Sequence, residues 1–278
     1  MGTLYIVATP IGNLGDISAR ALDVLGSVAL IAAEDTRHTG KLLAHFDIKT
    51  PLVSYHSFNE RTRRERLLAA LADGDVALVS DAGTPVIADP GHELVNAAIA
   101  AGFRISPIPG PSSLTAAVSA SGLVDGPFLA LGFLPRKGKE RTTILAKAAA
   151  TSYSIVLFES PNRVAKTLSD LANTFGDRRC FVARELTKLH EELRWGDVSN
   201  LALKYKGETV KGEVVIVVAG DDRPQPSNED VESVVGQLLN SGLKPSEAAR
   251  EATSLTGGSR SDLYRLAIAI SKGKSAGE

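Results

Sequence analysis

Between Leu4 and Ala120, short β-branched runs alternate with helix-length segments, and the runs give way to loops rich in Gly, Pro, Ser or Asp. The pattern predicts strands over 4–8, 29–33, 52–55, 76–80 and 104–108, and helices over 19–25, 39–46, 59–72, 92–101 and 113–120. Strands and helices repeated at this length specify a parallel sheet covered on both faces. Ligands of such sheets bind just beyond the carboxyl ends of the strands, so the loops there are the first place to look for chemistry.

The rhythm breaks over 126–141, where a strand-like run from Phe128 to Phe133 leads into a basic, glycine-containing loop. A second α/β unit is expected from there, with strands over 155–159, 180–184 and 213–219 and a helix over 164–175. Residues 221–228 have the prolines and polarity of a linker. Helices over 229–240, 245–255 and 261–271 follow, separated by Gly242 and by Gly257-Gly258. The expected organisation is therefore an α/β domain over 1–125, a second over 126–221, and a linker with a small helical module over 222–278.

The chain has 278 residues, of which 44% are hydrophobic, enough for more than one core. Its start lacks the basic and apolar segments of a signal peptide, and no run of about 18 apolar residues marks a membrane span. A cytoplasmic protein with no membrane partner is expected. Cys180 is the only cysteine, which excludes an internal disulfide and a cysteine-based zinc site within one chain. No metal is expected. With 31 basic against 32 acidic residues, no global field draws in a nucleic acid, so any such contact depends on local patches. Arg61–Arg66 and Arg136–Arg141 are two such patches, open to reading as a solvated helix face and an ordinary surface loop.

Five loops carry candidate chemistry. Thr9-Pro10-Ile11-Gly12-Asn13-Leu14-Gly15-Asp16 holds glycines that permit close backbone approach, but it is not the Gly-x-Gly-x-x-Gly dinucleotide fingerprint, which disfavours a nicotinamide enzyme. Glu34-Asp35-Thr36-Arg37 sets two carboxylates and a guanidinium after an apolar strand, as catalytic groups or as a self-neutralising pair. Ser54-Tyr55-His56-Ser57-Phe58-Asn59-Glu60 offers hydrogen bonds to ribose, phosphate or base, with His56 able to accept a proton near neutral pH. The stretch from Ser80 to Gly91, with Asp81, Gly83, Thr84, Pro85 and Ile87, is too rich in Gly, Pro and Asp for a plain connection. Pro109-Gly110-Pro111-Ser112-Ser113 is a rigid turn whose hydroxyls suit helix capping or ligand contact.

Together with Gly132-Phe133-Leu134-Pro135, Phe158-Glu159-Ser160-Pro161, Arg184-Glu185-Leu186-Thr187-Lys188 and Gly212-Glu213, these motifs resemble the small-subunit ribosomal RNA methyltransferase I family of the tetrapyrrole methylase superfamily. The resemblance spans about Leu4 to Gly220, in order. It implies the two-domain, tetrapyrrole-methylase-like (class III) α/β fold, with S-adenosylmethionine in a cleft between the domains, the small helical module appended, and a homodimer. It also implies methyl transfer to the 2′-oxygen of a cytidine in 16S ribosomal RNA of the small subunit. Carried over residue by residue, the cofactor contacts fall on Pro10, Asp81, Gly83, Thr84, Pro85, Ile87, Ser112, Ser113, Leu131 and Phe158. Asn162 departs from the pattern, standing where the family suggests histidine, so no essential base is expected at that position.

A sulfonium methyl is already activated, so such an enzyme mainly holds the ribose oxygen in line with it. The hydroxyl proton must still leave. Candidate acceptors are Glu34, Asp35, His56 and Glu60, with Glu185 across the cleft, and sequence does not choose among them. Candidate phosphate contacts are Arg37, Arg61, Arg63, Arg64, Lys137, Lys139, Arg184 and Lys188. A methylase of a tetrapyrrole or other small acceptor and a non-enzymatic RNA-binding or ribosome-assembly factor remain alternatives.

Overall fold

A computed structural model describes residues 2–221, 228–256 and 260–275. The first half runs β1 (Thr3–Val7), α1 (Ala19–Ser27), β2 (Leu30–Ala33), α2 (Thr36–His45), β3 (Leu52–Ser54), α3 (Glu60–Asp73), β4 (Val76–Val79), α4 (His92–Ala100), β5 (Arg104–Ile108) and α5 (Ser113–Ser121). All five strands are parallel, in the order β3-β2-β4-β1-β5. The inner strands β2 and β4 are wholly apolar, which suits burial on both faces: Leu4, Leu67, Leu78 and Leu94 pack on one side of the sheet, Val7, Leu25, Ile31 and Val79 on the other.

The second half contains β6 (Phe128–Phe133), α6 (Lys139–Ala149), β7 (Ser154–Glu159), α7 (Val164–Phe175), β8 (Arg179–Arg184), β9 (Glu192–Asp197), α8 (Val198–Tyr205) and β10 (Val214–Val218). Its sheet order is β6-β7-β10-β8-β9, with β6 and β7 parallel and the other pairs antiparallel. Cys180 is buried in this sheet, and the apolar surroundings push its thiol up to about 12, which keeps it protonated. One face packs on α6, α7 and α8; the other receives α5 from the first half, where Ala117, Leu114 and Val118 meet Val156, Phe181 and Val217. Trp195 Nε1 donates to Ser121 O at 2.8 Å, tying the end of α5 to β9. Thus α5 joins the two sheets and covers only part of the second sheet's inner face.

Three further helices, α9 (Asn228–Asn240), α10 (Pro245–Thr256) and α11 (Arg260–Ser275), pack around Val235, Ala249, Ala252, Leu263 and Ala267. The linker expected over 221–228 and the Gly257-Gly258 break lie largely or wholly outside the described residues. Among the described residues no helix is long and apolar enough to cross a membrane.

Three elements have no counterpart in the periodicity reading. β9 is an edge strand carrying Glu192, Arg194 and Asp197, so it lacks a strand's apolar signal. α8 follows it directly and looks like its continuation. α6 begins inside the segment expected to be a basic loop, and Arg141 is not a surface residue: its side chain is 7% exposed, bonded to Asp170, Thr167 Oγ1 and Pro135 O. α2 also starts earlier than expected, at Thr36, because the Asp35 carboxylate accepts from Arg37 N and caps it.

Candidate active site between the two sheets

The loops beyond β1, β2, β4 and β5 face the uncovered part of the second sheet and enclose a cavity of about 400 Å³. Its floor is a row across three neighbouring strands, Phe158, Val215 and Ala183, which the antiparallel registers align. Ile87 and Leu186 add apolar wall, and Phe133 stands 5.5 Å from the Phe158 ring. Glu34, Asp81 and Asp89 line the opposite side, with Glu213 and Glu159 across from them. Among the described residues, no lysine or arginine lines it.

The loop after β4 is strained into place. Gly83, Val86, Ala88 and Gly91 all have positive φ, at 83°, 73°, 68° and 135°. For β-branched Val86 this conformation costs on the order of 1–3 kcal/mol and persists only if surrounding structure overrides it. Three fastenings do so. Thr9 and Gly83 exchange backbone hydrogen bonds at 2.9 and 3.0 Å; Thr84 Oγ1 donates to Pro111 O at 3.2 Å; and Gly91 N donates to Glu60 Oε1 at 2.8 Å. Gly91 has no room for a side chain, since a Cβ there would lie 2.7 Å from Leu78 Cδ2.

The carboxylates differ in environment. Burial, with the nearby charge of Glu34, pushes Asp89 up to about 6. Burial and the Asp81 charge raise Glu34, which accepts weakly from Asp81 N at 3.5 Å. Asp81 itself accepts from Asp35 N at 2.9 Å, locking the β2 and β4 loops together. Glu159 is fully buried, and burial alone would raise it. Hydrogen bonds from Arg163, Thr167 and Ser160 N outweigh that and hold it below the usual range.

Of the residues expected from sequence to act as proton acceptors, Glu34 alone lines the cavity. Asp35 is engaged bidentately by Arg37, which holds it well below the usual carboxylate range. Glu60 braces Gly91. His56 bonds within its own loop, its backbone N donating to Asn59 Oδ1 and its ring Nδ1 accepting from Phe58 N. For Glu185 burial alone would raise the carboxyl, but the Lys188 ammonium at 2.7 Å and Glu213 N at 3.0 Å lower it. Of the expected cofactor contacts, Asp81, Ile87, Ser113 and Phe158 line the cavity, while Pro10, Gly83, Thr84, Pro85 and Ser112 do not. Leu131 packs instead against the core beneath the second sheet. A register shift between Ala130 and Phe133, with Gly132 at φ 60°, breaks the alternation of β6 and presents Phe133 to the cavity.

The expected phosphate contacts separate likewise. Arg184 is paired with Glu192 at 2.8 Å, and Arg64 with Glu93 at 3.7 Å. Lys188 is held by Glu185 and Glu213, and its stem lies where a Cβ on Gly12 would stand, 2.2 Å from Lys188 Cγ. The glycine of the first loop is thus required by a side chain from the other half. Arg61, Arg63, Lys137 and Lys139 make no ion pair among the described residues. Asp89, Glu159 and Glu213 are cavity carboxyls not expected from sequence as site residues, although all three stand in the motifs that carry the resemblance; Asp89, before Pro90, reads as a turn residue.

An apolar slab with an acidic, lysine- and arginine-free rim suits a ligand with a flat ring and a cationic reacting end. The tetrapyrrole (corrin/porphyrin) methylase profile matches residues 3–202. The chain belongs to this family. Within it, the chain is 46% identical over 275 residues to ribosomal RNA small subunit methyltransferase I of Synechocystis sp., covering 97% of this chain and 99% of the relative. It is 47% identical over 267 residues to the protein of that name from Xylella fastidiosa, covering 95% and 98%. These relatives place it in the small subunit methyltransferase I branch. A second profile, the RsmI C-terminal HTH domain, matches residues 225–271. Among solved structures, cobalt precorrin-4 methyltransferase shares the fold with a TM-score of 0.62 at 18% identity, covering 78% of this chain and 94% of that one. Uroporphyrin-III C-methyl transferase from Thermus thermophilus, complexed with S-adenyl homocysteine, gives 0.57 at 19%, covering 78% and 97%.

Proposed function

We propose that this chain transfers a methyl group from S-adenosylmethionine to the 2′-oxygen of a cytidine ribose in bacterial 16S ribosomal RNA. Near-full-length identity of 46–47% to relatives named as ribosomal RNA small subunit methyltransferases carries the ribosomal RNA assignment. The cytidine and its 2′-oxygen rest on the motif resemblance. The same reading takes the small subunit as substrate, a homodimer as the working form, the bacterial cytoplasm as location, and domain divisions near residues 125 and 221. The two separate sheets and the C-terminal helical cluster support those divisions.

The cavity chemistry fits the cofactor. S-adenosylmethionine supplies an activated methyl and carries a net positive charge at its reacting end. The Phe158, Val215 and Ala183 row offers a dry surface for an adenine ring, and Asp81, Glu34 and Asp89 offer negative potential toward a sulfonium. In this reading the strained loop holds Asp81 and Asp89 in fixed positions, so little reorganisation accompanies reaction. Asp89, with Glu34, takes the ribose hydroxyl proton, because these carboxyls face the cavity and are poised upward by burial and mutual charge. Asp35, Glu60 and Glu185 already spend their carboxylates on structural bonds. The unpaired Arg61, Arg63, Lys137 and Lys139 contact phosphates outside the cavity.

The structural relatives named for tetrapyrrole substrates favour one rival, methylation of a tetrapyrrole. Such acceptors carry several carboxylates, which the acidic rim disfavours. Incubating the protein with methyl-labelled S-adenosylmethionine and, separately, under-methylated 30S subunits, naked 16S RNA and tetrapyrrole precursors separates the readings. Label in ribosomal RNA is expected. Label confined to a tetrapyrrole, or no transfer to any RNA despite tight cofactor binding, overturns the proposal.

A further inference from the structure

We infer that Phe58 is a stacking platform for an unpaired RNA base next to the target nucleotide. The inference rests on the RNA-methylating reading and adds the residue that grips the strand. Phe58 is 96% exposed, more than any other large hydrophobic side chain given for the described residues. It does not sit on a loose tip. Asn59 Oδ1 accepts from His56 N at 2.8 Å, Asn59 Nδ2 donates to Ser54 O at 3.2 Å, and Phe58 N donates to His56 Nδ1 at 3.3 Å. The His56 ring meets the Phe58 ring edge-on at 6.0 Å, leaving the ring open to solvent.

Position and charge fit a single strand. The loop follows β3, the edge strand, at the same end of the sheet as the loops that carry Glu34 and Asp81. β3 lies two strand spacings, about 10 Å, from β4, so a base on Phe58 stands beside the cavity rather than in it. Arg61 and Arg63 follow within α3 and make no ion pair among the described residues. An open ring beside unpaired cations is the combination that binds unpaired nucleotides, with the ring taking a base and the cations the backbone. The segment is also coupled to the cavity, because Glu60 accepts from Gly91 N at the end of the strained loop.

The test measures binding of the full-length protein to a fluorescein-labelled single-stranded RNA of the target region and to under-methylated 30S subunits, across a salt series. Phe58→Ala is expected to weaken RNA binding roughly tenfold or more, and Phe58→Trp to preserve it. The salt dependence of Phe58→Ala should match the wild type, since no charge is lost, whereas Arg61→Ala with Arg63→Ala should flatten it. Cofactor affinity by calorimetry should be unchanged. Wild-type affinity in Phe58→Ala, with methylation of RNA intact, overturns the inference and leaves the function standing. Loss of binding to 30S subunits but to no naked RNA also overturns it, pointing to a ribosomal protein. Failure of the wild type to bind or methylate any RNA removes both.

Discussion

Two carboxyls of the loop after β4 sit in different surroundings. Asp81 is bonded to Asp35 N, while Asp89 is pushed up to about 6 by burial and Glu34. If Asp89 takes the hydroxyl proton, kcat rises with pH through about 6 and levels above it. Asp89→Asn should lower kcat by roughly 10²-fold or more and abolish that limb. The same raised pKa has a stability consequence. The folded state holds the proton more tightly than the unfolded chain, so stability is full below the unfolded value and falls as pH rises through about 6. Asp89→Asn should therefore stabilise the protein at neutral pH by roughly 1 kcal/mol after allowance for solvent screening, and not near pH 4, as read by thermal melts. Sequence reading named the motif around Asp89 and missed the residue, since its perturbation comes first from burial in the folded cavity and then from Glu34, which stands on a different loop.

At the scale of elements, the parallel half was legible because strands buried on both faces and their Gly-Pro loops leave strong signals. The mixed half was less so. β9 is charged along its length, and the Gly132 bulge reverses which β6 side chain reaches the cavity, so that Phe133 replaces Leu131. The basic stretch over 136–141 shows why composition misleads there: Lys137 and Lys139 are exposed, but Arg141 closes a buried network with Asp170, Thr167 and Pro135 O. Arg141→Ala should destabilise the protein by about 3–5 kcal/mol in urea titrations, because it leaves Asp170 and buried acceptors short of a partner. Lys137→Ala should cost almost nothing. At the cavity loop, Glu60→Ala frees Gly91 N and loosens the strained segment; calorimetry should show cofactor affinity falling about tenfold, with a loss of stability near 1–2 kcal/mol.

For the whole molecule, the acidic cavity and the unpaired cations outside it divide the labour: one suits a cationic cofactor, the others a polyanion. In the proposed reading, a chain of net charge −1 binds RNA through a few unpaired cations rather than an overall field. Arg61→Ala combined with Lys137→Ala should weaken RNA binding and reduce the salt slope by about 1.4 on single strands, leaving cofactor affinity intact. Arg184→Ala should lower stability instead, since that guanidinium is paired with Glu192. The most direct test of the proposed reaction is to treat under-methylated 30S subunits with the protein and labelled S-adenosylmethionine, digest the 16S RNA to nucleosides and identify the labelled product by mass. Labelled 2′-O-methylcytidine is the expected result; a methyl group found only on a base, or on the ribose of another nucleoside, would contradict it.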